Sequence, residues 1–224
     1  EANLCVACHS QPEVDNATGK NYSDWKSSVH DKNGVFCNGC HLGNPASNEK
    51  EAAHVDVYRS GDSRSTVYFK NVPKTCGNCH KEEFNQFRKS LHYLRLETTE
   101  RGPNCVTCHG ARATKIVTPA QMADLCTICH NTRLGIQPGT PRGARSTLLL
   151  MNQTKFVTDV LTDYLEKAPA REKALGRARD LLQQSRNSLR LAKLRWHTFD
   201  LEAIEHSVTV ALDAAQSAWS EVKK

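Results

Sequence analysis

The chain has 224 residues, of which 38% are apolar and 24% charged, and its formal net charge is +6. Its basic residues are scattered and are not interleaved with aromatic side chains, which excludes a nucleic-acid-binding protein. No apolar run approaches the roughly 18 residues that a membrane-spanning helix needs, which excludes a membrane span in this chain. The low apolar fraction is typical of disorder unless bound cofactors supply apolar surface.

One five-residue pattern, Cys-x-x-Cys-His, occurs five times and uses all ten cysteines. Two thiols one helical turn apart can bond to the vinyl groups of a haem, and the adjacent imidazole can bind its iron. The sequence therefore predicts five covalently attached haem c groups. The predicted attachment residues are Cys5, Cys8, Cys37, Cys40, Cys76, Cys79, Cys105, Cys108, Cys126 and Cys129, and the predicted proximal iron ligands are His9, His41, His80, His109 and His130.

Other interpretations of the cysteines do not fit this pattern. Zinc ribbons combine Cys-x-x-Cys pairs two by two, so five pairs would leave one unmatched. Thioredoxin-like motifs occur singly, near a βαβ pattern that this sequence lacks. A disulfide framework would not produce one fixed spacing five times.

Residues 1–135 are predicted to form a pentahaem-binding region with short helices and little regular sheet. Turn-rich connections such as Leu42-Gly43-Asn44-Pro45 separate the motifs. With roughly 27 residues per haem, the porphyrins must form the core of this region, because its side chains are too few to do so. The haem propionates would add about −10 charges and the ferric irons about +5, so the holoprotein should be nearly neutral.

A Gly- and Pro-rich linker at 136–146 is predicted to precede a C-terminal helical region at 147–224. Apolar residues recur there every three or four positions, which predicts helices at 147–167, 171–197 and 201–222 that form an antiparallel bundle or pack on the haem region. A break capped by Thr198 or Asp200 should separate the last two helices. The predicted fold class is therefore mainly α. The predicted apolar seams are Leu150, Phe156, Val157, Val160, Leu161, Tyr164 and Leu165; Leu175, Ala178, Leu182, Ser185, Leu189, Ala192 and Trp196; and Leu201, Ile204, Val208, Ala211, Ala215, Ala218 and Val222.

Five histidines lie outside the haem motifs, as many as there are predicted haems. If each supplies a second axial ligand, all the irons are six-coordinate, which suits electron transfer and leaves no vacancy for a substrate. Two of these histidines end copies of one short pattern, Trp25-Lys26-Ser27-Ser28-Val29-His30 and Phe87-Arg88-Lys89-Ser90-Leu91-His92. The candidate distal ligands are His30, His54, His92, His197 and His206.

Three alternatives remain open for the axial ligands. His197 and His206 lie in the helical tail, where a histidine is often a solvated surface residue. Met122 or Met151 would give a His/Met haem with a raised potential, although methionine is usually a packing residue. A haem with one open axial position would bind nitrite, hydroxylamine, nitric oxide or peroxide.

The closely spaced motifs, the Ser-x-His elements (Ser28-Val29-His30 before Cys37, Ser90-Leu91-His92 before Cys105) and the His-bearing C-terminal helices resemble the multihaem cytochrome c superfamily. That superfamily includes pentahaem nitrite reductases, hydroxylamine oxidoreductases and their electron-transfer relatives, and the resemblance implies closely stacked haems that form a continuous path for electrons. The nitrite reductases are much longer and usually bind the active haem through Cys-x-x-Cys-Lys, which this sequence lacks. The hydroxylamine oxidoreductases carry more haems, so the resemblance favours an electron carrier over an enzyme.

We therefore expect the chain to transfer electrons between a donor and an acceptor redox protein. Two alternatives are a small reductase with one open-site haem, and a subunit of an extracellular or membrane-associated electron-conducting assembly in which chains dock or polymerise. Haem is attached covalently outside the cytoplasm, so the expected location is periplasmic or extracellular, reached through a signal peptide that these residues do not include.

Overall fold

The computed structural model describes residues 3–167 and 173–223. The chain divides into two compact units, Glu1–Val117 and Thr118–Lys224. The described residues of both units form helices and turns without a β-strand, which confirms the mainly α fold class. Within the same residues, no helix combines the length and the apolar character that crossing a membrane requires.

The first unit consists of short helices joined by turns. Its buried apolar side chains in the described part are Val72, Pro73, Phe87 and Leu96, whereas Asp15, Ser28, Ser65, Ser90 and Asn104 are buried polar side chains. So small an apolar set is too little for an ordinary side-chain core. The helices are α1 (Leu4–His9), α2 (Pro12–Ala17), α3 (Asn21–Lys26), α4 (Val29–Lys32), α5 (Asn38–His41), α6 (Lys50–Ala53), α7 (Val72–Gly77), α8 (Lys81–Phe87), α9 (Leu91–Thr99) and α10 (Cys105–His109).

The second unit is a bundle of long helices. Helix α11 (Pro119–Thr127) packs on α12 (Thr140–Lys167), and α12 contacts both α13 (Lys173–Arg195) and α14 (Leu201–Val222). Helices α13 and α14 pack along each other, and the short connection between them makes the pair antiparallel. The three long helices predicted for this region are confirmed.

The boundaries differ from the predicted division of the chain. The units separate after Val117, so the fifth haem motif shares a unit with the long helices. Helix α12 begins at Thr140, within the segment 136–146 that the Gly and Pro content predicts as a linker, because a proline is tolerated in the first turn of a helix. The predicted domains, 1–135 and 147–224, therefore stay a prediction about haem binding and helical structure along the chain, and they do not coincide with the two compact units.

The predicted seams of α13 and α14 face the core. The six seam positions of α13 and Trp196 directly after it are buried, and so are the five central positions of the α14 seam, while Leu201 and Val222 at its ends are half-buried. Between the two helices, Phe199 adopts a left-handed conformation with φ 59°. Asp200 caps α14 by accepting from the Ala203 N–H at 3.1 Å, which confirms the predicted break.

The predicted seam of α12 is partly wrong. Leu161 and Leu165 are buried, but Phe156, Val160 and Tyr164 are 69%, 41% and 46% exposed. Threonines take core positions instead, because each hydroxyl can donate to the carbonyl one turn earlier, as Thr154 does to Leu150 at 2.9 Å. The buried face of α12 is Ala144, Thr147, Met151, Thr154, Thr158, Leu161 and Leu165.

Candidate haem-binding sites

Each predicted haem motif contains a helical turn. In the second, third and fifth motifs the histidine N–H donates to the carbonyl of the first cysteine at 2.9, 2.9 and 2.8 Å, and the first and fourth motifs lie within α1 and α10. Residues three and four positions apart in such a turn share a face, so the two thiols and the imidazole of a motif lie on one side. All ten cysteines are unbridged, and each is half-buried or exposed. The motifs thus have the form that thioether attachment requires.

Consecutive motifs of the first unit are linked by hydrogen bonds. The Asn3 side chain beside the first motif donates to Asn38 of the second at 3.0 Å. The Thr66 hydroxyl donates to the Cys40 carbonyl, and the Thr75 hydroxyl next to the third motif donates to the Thr66 carbonyl at 2.6 Å. These bonds place motifs one to three side by side in sequence order.

The cysteine thiols of the first four motifs are also neighbours in sequence order. Burial and the neighbouring Cys5 raise the pKa of the Cys37 thiol, and burial, Cys76 and Cys79 raise the pKa of Cys40. The Cys76 and Cys105 thiols hydrogen-bond to each other, which raises the pKa of Cys76 and lowers that of Cys105. Sulfurs of motifs one to four therefore form a continuous series, and haems attached to them would be neighbours.

His54 lies opposite His9, the histidine of the first motif. The ring centroids of His9 and His54 are 6.1 Å apart and the rings are tilted by 56°. Two imidazoles bound to one metal through bonds of about 2 Å, with each ring centre roughly 1 Å beyond its nitrogen, would have centroids about 6 Å apart. The pair therefore has the spacing that an iron between the rings requires.

His30 forms a second pair of this kind with the third motif. The His30 and His80 ring centroids are 6.3 Å apart, with an interplanar angle of 57°. Burial and the nearby His80 lower the pKa of His30, which favours the neutral imidazole that binds a metal. His30 precedes the second motif in sequence but faces the third, a pairing that sequence order does not predict.

The Ser-x-His repeat has one local structure in both copies. The Ser28 N–H donates to the Trp25 carbonyl at 2.9 Å, and the Ser90 N–H donates to the Phe87 carbonyl at 2.9 Å. Each serine then caps a helix. Ser28 Oγ accepts from the His30 N–H at 3.2 Å, and Ser90 Oγ accepts from the Tyr93 N–H at 3.1 Å. The turn and the cap thus place the histidine at the second position of α4 and of α9.

Three histidines have their Nδ1 atom held by a backbone carbonyl. His54 bonds to Lys50 at 2.7 Å, His109 to Lys115 at 3.1 Å and His197 to Leu194 at 3.3 Å. A carbonyl only accepts, so Nδ1 carries the proton and Nε2 keeps its lone pair, the arrangement typical of a metal-binding histidine. His197 therefore shares with His54 the Nε2 lone pair that a ligand needs.

The remaining predicted ligands differ in their surroundings. His92 is half-buried in the first turn of α9, and the half-buried His130 follows α11 in the second unit. His41 ends α5, and its pKa is lowered by desolvation and by the charge of His9. His206 is exposed on α14, on the face opposite the buried seam. The structure thus brings together His9 with His54 and His30 with His80.

Several residues around the motifs are not identified by sequence analysis. Asn104 caps α10 and donates to the Phe69 carbonyl at 2.7 Å, and Arg112 bonds to Asn21 and to the Gly19 carbonyl. Thr118 and Gln121 form a capping box before the fifth motif. The capping residues carry a readable signal, a Thr-x-x-Gln pattern or an Asn before the helix, whereas nothing in the sequence marks Arg112.

The methionines occupy packing positions. Met122 on α11 and Met151 on α12 are both 5% exposed and belong to the buried face of the second unit. Burial among apolar neighbours is the usual role of methionine.

The repeated thiol and imidazole motifs on short helices, with little side-chain core, define a multihaem c-type cytochrome. Residues 62–133, which contain the third, fourth and fifth motifs, match the family model described as cytochrome c7 and related cytochrome c. No match was found among the curated proteins or the solved structures. The match supports a multihaem c-type cytochrome, a class of protein that carries covalently bound haem c and exchanges electrons with redox partners.

Proposed function

We propose that the chain is an exported pentahaem electron carrier whose irons are held between pairs of histidines. The observation that carries this proposal is the spacing of the imidazole pairs, 6.1 Å for His9 and His54 and 6.3 Å for His30 and His80. Haem, when bound, supplies reversible one-electron chemistry. Histidines on both sides of an iron fill its axial positions and leave no place for a substrate.

The order of the motifs supports a path along the chain. Hydrogen bonds and thiol contacts join motifs one to four in sequence order within the first unit. Cysteines so arranged would fix the cofactors of the first four motifs next to one another. A multihaem carrier of this kind belongs among the electron-transfer relatives of the nitrite reductases and hydroxylamine oxidoreductases.

The remaining axial positions fall to His92, His197 and His206. His197 has its Nδ1 held by the Leu194 carbonyl in the same way as His54 has its Nδ1 held by Lys50. His92 occupies the position in the second Ser-x-His copy that His30 occupies in the first. These similarities support His197 and His92 as ligands.

Substitution of the paired histidines tests the proposal. In His54→Met and in His30→Met, one haem of five should gain a His/Met pair, and its reduction potential should rise by on the order of 0.1 V. Spectroelectrochemical titration of the holoprotein measures the five potentials. Lys32→Met is the matched control, because Lys32 is an exposed residue of the helix that bears His30 and is not a candidate ligand. Unchanged potentials in both paired variants would contradict the assignment.

A second candidate function follows from His206. The count of five distal imidazoles includes this residue, which is exposed on the outer face of α14. If His206 binds no iron, one haem has an open position, and the protein is a small reductase of nitrite, hydroxylamine or a related oxyanion. Electron paramagnetic resonance and cyanide titration distinguish the reductase from the electron carrier. One high-spin ferric centre that shifts with cyanide supports the reductase, and five low-spin centres without a shift support the carrier.

A further inference from the structure

Helix α13 has a strongly basic exposed face. By sequence, Lys173–Arg195 contains seven Lys and Arg residues and one Asp, a net charge of +6 that equals the formal charge of the whole chain. Arg186, Arg190 and Lys193 are exposed and line a groove together with Lys155 of α12. The groove also contains Asp159, which pairs with Lys155. We call Arg186, Arg190, Lys193 and Lys155 the basic face.

Helix α14 has the opposite character. Leu201–Val222 contains four Glu and Asp residues and no Lys or Arg. Three of them, Glu202, Glu205 and Asp213, are exposed and lie on one side of the helix at spacings of three and eight residues, opposite the buried seam. We call these three residues the acidic face.

The carboxylates of the acidic face form no ion pair with the described residues of the unit. Among the ion pairs of the described residues, Arg177 of α13 joins Glu221 of α14 at 3.7 Å, and none includes Glu202, Glu205 or Asp213. On the basic face, Arg186 donates to the neutral Thr162 hydroxyl at 2.7 Å. Arg186 and Lys193 on the basic face and the three carboxylates of the acidic face therefore keep charge that a partner of opposite sign could neutralise.

We propose that the second unit docks copies of this chain onto one another, with the basic face of one copy against the acidic face of the next. A second copy is the partner that this unit itself specifies, because the acidic face of that copy is complementary in charge and long enough to cover the basic face. At 1.5 Å per residue, Arg186 to Lys193 spans about 10 Å and Glu202 to Asp213 about 16 Å. Because the holoprotein is expected to be nearly neutral, repulsion between whole molecules opposes association only weakly.

The pairing of two different faces has a geometric consequence. Such a contact is heterologous, so each copy in a pair still offers one free face, and association continues into a ring or an open chain. Exposed ion pairs stabilise weakly and are screened by salt. The contact is therefore weak and reversible, and it forms where the local concentration of the chain is high. The inference does not depend on which histidine binds which iron.

Charge reversal in the holoprotein tests the proposal by sedimentation velocity. The wild type, at about 100 μM and low ionic strength, should form species larger than the monomer that dissociate in about 0.5 M NaCl. The basic-face variant Arg186→Glu/Arg190→Glu/Lys193→Glu and the acidic-face variant Glu202→Lys/Glu205→Lys/Asp213→Lys should each associate at least tenfold more weakly. Because their reversed faces complement each other, an equimolar mixture should restore association.

The control variant changes the net charge as much as the basic-face variant does, but its substitutions lie in the first unit. Lys32→Glu/Lys50→Glu/Lys81→Glu changes exposed lysines that no ion pair of the described residues includes, and it should associate like the wild type. Melting curves and haem spectra confirm that each variant is folded. A wild type that stays monomeric overturns the proposal, as does a mixture that fails to associate. Association that survives high salt and is lost in Phe156→Glu also overturns it, because the contact would then be the exposed apolar side of α12.

Discussion

Two buried serines support the local structure of two of the proposed distal histidines, His30 and His92. Ser28 and Ser90 are 1% and 4% exposed, and each bonds to its helix at the point where the histidine begins to project. A cap of this kind contributes about 1 kcal/mol to the helix that it begins. Helix α4 has only four residues and cannot persist by its own propensity, so the cap and the contacts of His30 must hold it.

Removal of the Ser28 cap should therefore loosen His30. We expect Ser28→Ala to lower the free energy of unfolding by about 1 kcal/mol and to give the haem of the third motif a partial high-spin signal on warming. Ser28→Thr keeps a capping hydroxyl and should restore the low-spin spectrum. Ser27→Ala is the matched control, because Ser27 is exposed and its hydroxyl bonds only to the Asp24 carbonyl. Equal spectra for Ser28→Ala and Ser27→Ala would show that the cap does not position the ligand.

At the scale of single elements, α12 and α13 share a buried hydroxyl pair. Thr158 Oγ1 and Ser185 Oγ lie 3.1 Å apart, and Thr158 also donates to the Thr154 carbonyl at 2.8 Å. Both side chains are nearly inaccessible, so each hydroxyl depends on partners within the bundle. Loss of one partner leaves a buried polar group unsatisfied, whereas loss of both does not.

A double-mutant cycle measures this coupling. Thr158→Val should lower the free energy of unfolding by roughly 1–2 kcal/mol, because Ser185 loses its cross-helix partner. Thr158→Val/Ser185→Ala should recover part of that loss. Thr154→Val is the control, since the Thr154 hydroxyl donates within its own helix to Leu150. Thermal or denaturant unfolding followed by circular dichroism gives the values, and strict additivity of the two substitutions would contradict the coupling.

Sequence patterns predict some of these elements better than others. The α13 seam is correct at every position because apolar residues and small residues alternate there at helical spacing. The α12 seam fails because threonines replace apolar residues in the core while Phe156 and Val160 face outward, and hydrophobicity alone cannot distinguish the two faces. Cys-x-x-Cys-His reveals the attachment sites because their geometry is local. The pairing of His54 with His9 depends on contacts between distant parts of the chain, which no local pattern encodes.

At the scale of the whole molecule, the two units differ in how they can be stabilised. The first consists of helices of four to nine residues and has few buried apolar side chains. Such helices are too short to be stable alone in water. The second contains helices of 28, 23 and 22 residues whose core is built from buried apolar and hydroxyl side chains. Stability of the first unit should therefore depend on its cofactors.

Protein produced without haem attachment tests this difference. Limited proteolysis with mass spectrometry should cleave the first unit within minutes and leave a fragment that begins near Thr140, because α12, α13 and α14 bury their own core. The holoprotein should resist cleavage in both units. A first unit that resists proteases equally with and without haem would show that its side chains suffice.

The two imidazole pairs of the first unit interlace along the chain. His30 lies between the first and second motifs and faces the third, while His54 lies between the second and third motifs and faces the first. If the chain is exported N-terminus first, the first haem would lack its second imidazole until residue 54 had crossed, whereas His30 would already be available when the third haem is attached. Maturation would then close two overlapping loops instead of adding independent modules. Truncation between the first and third motifs would consequently disturb haems on both sides of the cut.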